Sequence, residues 1–346
     1  MRFHLPALPG QPITKANSTC AFTAKVRRFA DMMVPRGHEV NIYGDPEHES
    51  LGDHVACYEP GEPPPFTVGG WTNANAAAIA AIKERAEPGD VLGLIGGICQ
   101  EPLVRAFPEL YPVEFGIGYP GVNRTGTYRV FESYAWLHQV YGELYGSGTA
   151  DGRFYDAVIH GYFDRTEFPK GKDEGYLLYV GRMIERKGIQ IVCDTAEEAG
   201  LPLILAGGAG DFKPSYGEHI GIVEPEERGK LMAGAKALMC PTTYIEPFGA
   251  IAVEAQLCGT PVIATDFGAF TETVTQGVTG YRCRRLGEFV WAAQQAHELD
   301  RNWIRTNAIN TWSLEAIAPQ YENYFDHLRT LSNDGWYDKN PSQPKW

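Results

Sequence analysis

Basic residues are the scarcer charge in this chain: 30 Lys and Arg stand against 43 Asp and Glu, a formal net charge of −13 at pH 7. That balance argues against a broad nucleic-acid-binding face, which needs a basic footprint, although a local basic groove stays open. No apolar run is long enough to span a bilayer. The opening Met1-Arg2-Phe3-His4-Leu5 is broken by Pro6 too early to read as a secretory signal. Cysteine is present but unpaired in pattern: seven residues, Cys20, Cys57, Cys99, Cys193, Cys240, Cys258 and Cys283, with no C-x-x-C spacing. An odd, scattered set points to reduced thiols in a cytoplasmic protein rather than to disulfides or a zinc site.

What is there is an α/β rhythm. At 346 residues the chain exceeds what one core usually holds, so two domains are expected. Short apolar runs alternate with amphipathic segments, the pattern of parallel α/β domains. Strands are expected at Arg2–Leu5, Glu39–Tyr43, Val55–Tyr58, Val91–Ile95, Val113–Gly118 and Ala157–His160, with helices at Ala21–Val34 and Thr72–Arg85. A polar stretch with Pro169, Gly171 and Gly175 reads as an interdomain linker. A second series follows, with strands at Leu177–Val180, Leu203–Ala206, Ile220–Val223, Ala237–Cys240 and Val262–Thr265 and helices at Pro225–Gly234 and Phe248–Cys258. From Gly287 to Leu331 the pattern is helical. The domains are expected at 1–168 and 176–312, with a C-terminal helix and tail over 313–346.

The chemistry concentrates in Tyr244–Glu254, Y-I-E-P-F-G-A-I-A-V-E. Glu246 and Glu254 bracket an expected helix start at Pro247, Phe248 and Gly249. Eight residues of helix rise cover about 12 Å, roughly a sugar-to-ribose span across a diphosphate. The amides of Phe248, Gly249 and Ala250 would face negative groups between the two carboxylates. A plain helix cap and a solvated carboxylate explain the same residues without a ligand. A second element weighs against that reading: Val180-Gly181-Arg182-Met183-Ile184-Glu185-Arg186-Lys187-Gly188 follows an expected strand. There Gly181 permits a tight turn and Arg182 and Lys187 can neutralise a diphosphate. Arg186 is expected to point outward. Read blandly, that loop is a solvated basic turn.

The two motifs together resemble the E-x7-E and G-R-x-x-x-x-K-G signatures of retaining glycosyltransferases of family 4, glycosyltransferase group 1. The resemblance runs on through P-F-G-A-I-A-V-E-A-Q-L-C-G-T-P-V-I-A-T-D-F-G-A-F-T-E-T-V. It is strong in the second half and weaker in the first. It implies the GT-B architecture, an α/β fold of two facing Rossmann-like domains whose C-terminal helix crosses back to the first. It implies a sugar moved from a nucleoside diphosphate sugar to an acceptor hydroxyl with retention of configuration. Arg182, Lys187 and Glu246 would be the catalytic residues. Gly181, Val223, Phe248, Gly249, Ala250 and Glu254 would join them around the donor, with Glu254 on the ribose and Val223 near the base. The base is not legible, a UDP-sugar being favoured as substrate. No cofactor is expected, and no metal, since no D-x-D sequence stands in a suitable loop near Asp151 or Asp194.

The first half departs from that family's pattern. A glycine pair near the first strand is replaced by Pro12–Ser18, where Lys15 can add a positive charge. No histidine lies in Val91–Gly97 or Val113–Tyr119; His138 and His160 are the nearest. Lys15, Tyr119 and His138 are therefore the acceptor-side candidates, each with an ordinary surface or core explanation. The acceptor stays open among a glycan, a small molecule and a modified DNA base, the last disfavoured by net charge. A sugar-nucleotide epimerase, a phosphorylase and a non-catalytic nucleotide-sugar-binding protein are the rival readings.

Overall fold

The computed structural model describes residues 1–17, 20–60, 67–115, 121, 127–146 and 152–331. They form two α/β units, each with its own parallel sheet. The first unit takes Met1–Phe131, Val140–Tyr162 and the chain from Leu314; the second takes Glu132–Gln139 and Phe163–Ser313.

The first half of the chain contains β1 (Arg2–Pro6), α1 (Ala21–Met33), β2 (Glu39–Gly44), β3 (Asp53–Ala56), α2 (Val68–Lys83) and β4 (Val91–Leu94). It continues with α3 (Glu101–Ala106), β5 (Tyr111–Glu114), β6 (Tyr128–Phe131), α4 (Tyr134–Tyr145) and β7 (Ala157–Val158). The strands lie in the order β3-β2-β1-β4-β5-β6-β7, all parallel. Apolar strand residues are covered on both faces, as a parallel sheet requires. Phe3 from β1 and Phe29 from α1 are fully buried in one aromatic cluster, their ring centroids 5.3 Å apart.

The second half contains β8 (Leu177–Val180), α5 (Ile189–Ala199), β9 (Leu203–Ala206), β10 (Glu218–Gly221), α6 (Pro225–Gly234) and β11 (Ala237–Cys240). After these come α7 (Ala250–Leu257), β12 (Val262–Thr265), α8 (Phe270–Thr273), β13 (Gly280–Cys283), α9 (Leu286–Gln295), α10 (Arg301–Trp312) and α11 (Leu314–Leu331). The sheet order is β10-β9-β8-β11-β12-β13, again parallel. In both sheets the order reverses beside the first strand, between β1 and β4 and between β8 and β11. A doubly wound sheet binds ligands outside its carboxyl edge at such a reversal.

Helix α11 belongs to the first unit, as the expected crossing back requires. Phe325 packs edge-on to Phe3 at 4.9 Å, Tyr321 reaches Phe29 at 5.6 Å, and Glu322 takes a 2.6 Å ion pair from Arg36 after α1. The structure differs from the sequence expectation in several places: β3 and β5 begin two residues early, at Asp53 and Tyr111, and α2 four residues early, at Val68. β6 and β13 were not expected as strands. β10 lies two residues early, with a register irregularity between His219 and Gly221. And α7 begins at Ala250, so Pro247 and Phe248 precede the helix.

Candidate functional site

The reversal between β8 and β11 is lined by the two loops that leave those strands, Gly181–Gly188 and Pro241–Gly249. Both carry the motif residues, and the topology brings them together. The first loop is braced from behind: Gly181 N–H donates to Ala206 O at 2.9 Å and Met183 N–H to Gly208 O at 3.0 Å. The Tyr179 hydroxyl donates to the Arg182 carbonyl at 2.8 Å, which fixes the turn and leaves the exposed Arg182 side chain at its tip.

The loops meet backbone to backbone. Gly188 adopts a left-handed conformation, φ 75°, and a Cβ there would lie 1.9 Å from the Pro241 carbonyl oxygen. Only glycine fits such an approach. Thr243 N–H and Oγ1 both donate to Arg186 O, at 3.0 and 3.2 Å. Gly249 is the second left-handed glycine, φ 76°, and caps α7 in place of a side chain; a Cβ would meet Phe270 at 2.6 Å. The expected start at Pro247 is thereby corrected. The proline signal is real, but the chain turns through Gly249 before entering the helix, so helix rise alone does not span Glu246 to Glu254. The first-turn amides are those from Ala250 onward, and Phe248 is buried against Phe163 instead.

Lys187 Nζ stands 3.1 Å from Glu246 Oε2, both side chains about one-fifth exposed or less. Such a partly shielded, charge-assisted contact is stronger than a surface pair. The Tyr244 hydroxyl donates to the same oxygen at 2.7 Å. Arg186, expected to point outward, is exposed but lies over the Tyr244 ring at 4.4 Å. The Glu246 backbone is held as well, its carbonyl accepting from Ala269 N–H at 3.1 Å.

Glu254 is buried within α7. Its nearest charge is Arg228 Nε at 3.5 Å, and Oε2 has no hydrogen-bond partner among the described residues. A buried carboxylate oxygen without a donor is costly to keep. Val223 is half-buried just past β10, and Ile222 beside it is exposed.

Lys15, in the first unit, is exposed, and its backbone N–H donates to Glu49 at 2.5 Å. Tyr119 lies outside the described residues. His138 is exposed on α4, in the part that belongs to the second unit, beside Tyr134. Where a histidine was sought, at the carboxyl ends of β4 and β5, the first unit has two other buried side chains. Gln100 accepts from Ile95 and Gly96 N–H at 2.9 and 2.7 Å and donates to Pro6 O at 3.0 Å. Glu114 ends β5 at 3.7 Å from Arg129, whose other side faces Asp156 at 3.6 Å. Burial pushes the Asp156 carboxyl up despite those neighbouring guanidinium groups.

A further contact on the Glu246 loop has only a faint sequence signal. Ser133 Oγ donates to Pro247 O at 2.6 Å and accepts from Trp136 N–H at 3.0 Å. The α4 amides of Tyr134 and Ala135 donate to the Glu272 carboxylate, each at 2.9 Å. Ser before a helical run marks a cap, but nothing in the sequence couples that cap to residues of the second unit.

With this geometry in view, the comparisons with known proteins become specific. Residues 163–285 match the family described as glycosyl transferases group 1. That segment holds both motif loops and the whole of α7. Within the curated relatives, the D-inositol 3-phosphate glycosyltransferase of Mycolicibacterium smegmatis is 31% identical over 153 residues, 40% of this chain and 35% of that protein. The N-acetyl-alpha-D-glucosaminyl L-malate synthase of Bacillus anthracis is 37% identical over 106 residues, 28% of each. The chain thus spans about a third of the length of the curated relatives it matches. Solved structures resemble the whole chain. AviGT4, a glycosyltransferase involved in avilamycin A biosynthesis, superposes with a TM-score of 0.73 at 20% identity, over 95% of this chain and 98% of that one. HepE of Anabaena in complex with UDP-glucose gives 0.64 at 16% identity, over 96% and 100%. The fold is that of the GT-B glycosyltransferases. Among the described residues no helix is long and apolar enough to cross a membrane, and no group of three or more His, Cys, Asp or Glu is arranged to hold a metal.

Proposed function

We propose that the chain is a glycosyltransferase that moves a sugar from a nucleoside diphosphate sugar to an acceptor hydroxyl with retention of configuration. The observation that carries this is the contact of Lys187 with Glu246 at the β8–β11 reversal, with Arg182 exposed on the same loop as Lys187 and Glu254 on the helix that follows. Phosphate wants cations and amides, and both are offered there. Glu254 Oε2, buried and without a hydrogen-bond donor among the described residues, is suited to receive ribose hydroxyls. Glu246, steadied by Lys187 and Tyr244, is suited to orient the transferred sugar.

In the reaction, the bond from the anomeric carbon to the β-phosphate oxygen breaks and a bond to the acceptor oxygen forms on the same face. The acceptor proton passes to the departing phosphate oxygen. Negative charge grows on the diphosphate as this happens, and Arg182 and Lys187 are preorganised to meet it. Two cations so placed are enough to neutralise the leaving group, so transfer is expected to proceed without a divalent ion. Val223 would meet the base, and a UDP-sugar is the favoured donor, the form bound in the Anabaena structure. Lys15, Tyr119 and His138 are retained as acceptor-side residues, and the acceptor is a glycan, a small molecule or a modified DNA base.

The test is proton NMR of the purified protein with a panel of nucleoside diphosphate sugars, following each anomeric signal. Slow release of sugar and nucleoside diphosphate from one donor is the expected result. A new sugar-nucleotide signal would mean epimerisation, and no consumption of any donor, with or without acceptors, would overturn the reading.

A further inference from the structure

Tyr244 is assigned no part by either motif, yet three charged side chains of the donor site converge on it. Its hydroxyl donates to Glu246 Oε2 at 2.7 Å, while Lys187 Nζ approaches the same oxygen at 3.1 Å. Its ring is covered by two cations, the Arg186 guanidinium carbon at 4.4 Å and Lys187 Nζ at 5.0 Å from the centroid. The backbone under it is fixed on both sides: Thr243 is bonded to Arg186 O, and Tyr244 O accepts from Thr242 Oγ1 at 3.4 Å.

We propose that Tyr244 is a positioning residue of the donor site, whose hydroxyl orients the Glu246 carboxylate and whose ring seats the cations of the Gly181–Gly188 loop. The inference rests on the donor-site reading and deepens it. Two donors on Oε2 leave Oε1 as the oxygen with no partner among the described residues, so the carboxylate presents one defined edge to sugar hydroxyls. Lys187 has three N–H groups. One is committed to Glu246, which aims the other two away from it. The ring restrains where the ammonium can go, since a cation is attracted to the π face. Burial and the adjacent Glu246 charge push the phenol well above its ordinary range, so it stays a donor throughout the working pH range. Tyr244 touches the two catalytic groups rather than the reacting atoms, and acts through them.

The hydroxyl and the ring are separable. Tyr244→Phe keeps the ring and removes the bond to a charged acceptor; kcat is expected to fall about ten-fold or more, with donor KM within about three-fold of wild type. Tyr244→Leu removes the ring as well and is expected to raise donor KM by a further two- to five-fold, roughly the worth of an exposed cation–π contact. Thermal unfolding of Tyr244→Phe should match wild type, because a merely structural role would lower Tm without splitting kcat from KM. The donor used is whichever member of the nucleoside diphosphate sugar panel the wild type consumes. Turnover of Tyr244→Phe within two-fold of wild type, alongside a Lys187→Ala variant that is strongly impaired, would overturn the role of the tyrosine alone. Wild-type turnover in both variants would overturn the donor site itself, and a wild type that consumes no donor would remove both proposals together.

Discussion

The two sheets share one strand order through the sixth strand, the first adding β7 at its edge, yet one unit is far more legible than the other. In the second, β8, β9, β11 and β12 lie where the sequence places them, and a family model matches most of the segment. In the first, β3 and β5 lie two residues off their expected places, and the family model stops short of the unit altogether. The difference follows from what each reversal presents. On the proposed reading the second unit's reversal holds a diphosphate, which has one charge pattern and few ways to be held, so glycines, a cation pair and a carboxylate are expected at fixed spacing. The reversal of the first unit carries an exposed Lys15 and buried Gln100 and Glu114, a set that points to no single ligand. Chemistry with few solutions leaves a readable trace; chemistry with many does not.

The largest effect is expected in the first unit and concerns its stability. Phe325, fully buried against Phe3 and Phe29, ties α11 to that unit. Phe325→Ala should cost about 3–5 kcal/mol of stability, measured by denaturant titration. A loss below 1 kcal/mol would mean that α11 is not part of that core. Next comes Lys187→Ala, expected to lower kcat by about 10²–10³-fold, the worth of one preorganised group facing developing charge. Turnover within a few-fold of wild type would remove the second unit's claim to a solved chemistry.

Glu254→Gln is smaller and more discriminating. It should weaken nucleoside diphosphate binding about ten-fold, the worth of a hydrogen bond to a charged group, in a calorimetric titration. Its Tm should stay near wild type: the buried oxygen has no hydrogen-bond donor among the described residues, and the loss is limited to the charge facing Arg228 at 3.5 Å. Falling stability with unchanged affinity would make Glu254 a structural residue.

The smallest effect is one of pH and belongs to the first unit. His4 is fully buried between the Tyr43 hydroxyl at 2.7 Å and Asp90 at 3.2 Å, and burial lowers its pKa against the opposing pull of Asp90. His54, stacked on His48 at 4.2 Å, is lowered by the same cause. With the folded values depressed, the unfolded chain binds protons first. Stability should be full above about pH 6.5 and fall below it, by at most about 1.4 kcal/mol per pH unit for each group. A His4→Gln variant should flatten that slope; an unchanged slope would assign it elsewhere.

The residues missed by sequence reasoning share a cause. β6 and β13 read Y-R-V-F and G-Y-R-C, and an arginine in a short run hides a strand. Arg129 is buried only because Glu114 and Asp156 flank it, and those partners are distant in the chain. Tyr244 carries no sequence signal for its role, because the cations over its ring come from a different βα loop. The start of α7 was misplaced because proline announces a helix without saying that a left-handed glycine intervenes. Periodicity and punctuation are local signals, whereas ion pairs, ring contacts and trans caps such as Glu272 on α4 are settled only once the sheet order is known.

The contact of Gly188 with the Pro241 carbonyl also bears on how this protein can be re-engineered. Where two main chains touch, there is no side chain to vary, so a saturation library at Gly188 should return almost only the parent. On the proposed donor-site reading, variation in donor choice has to enter through side chains away from that seam, such as the exposed Ile222 beside Val223. The seam works as a fixed jig, and substrate range is adjustable only around its rim.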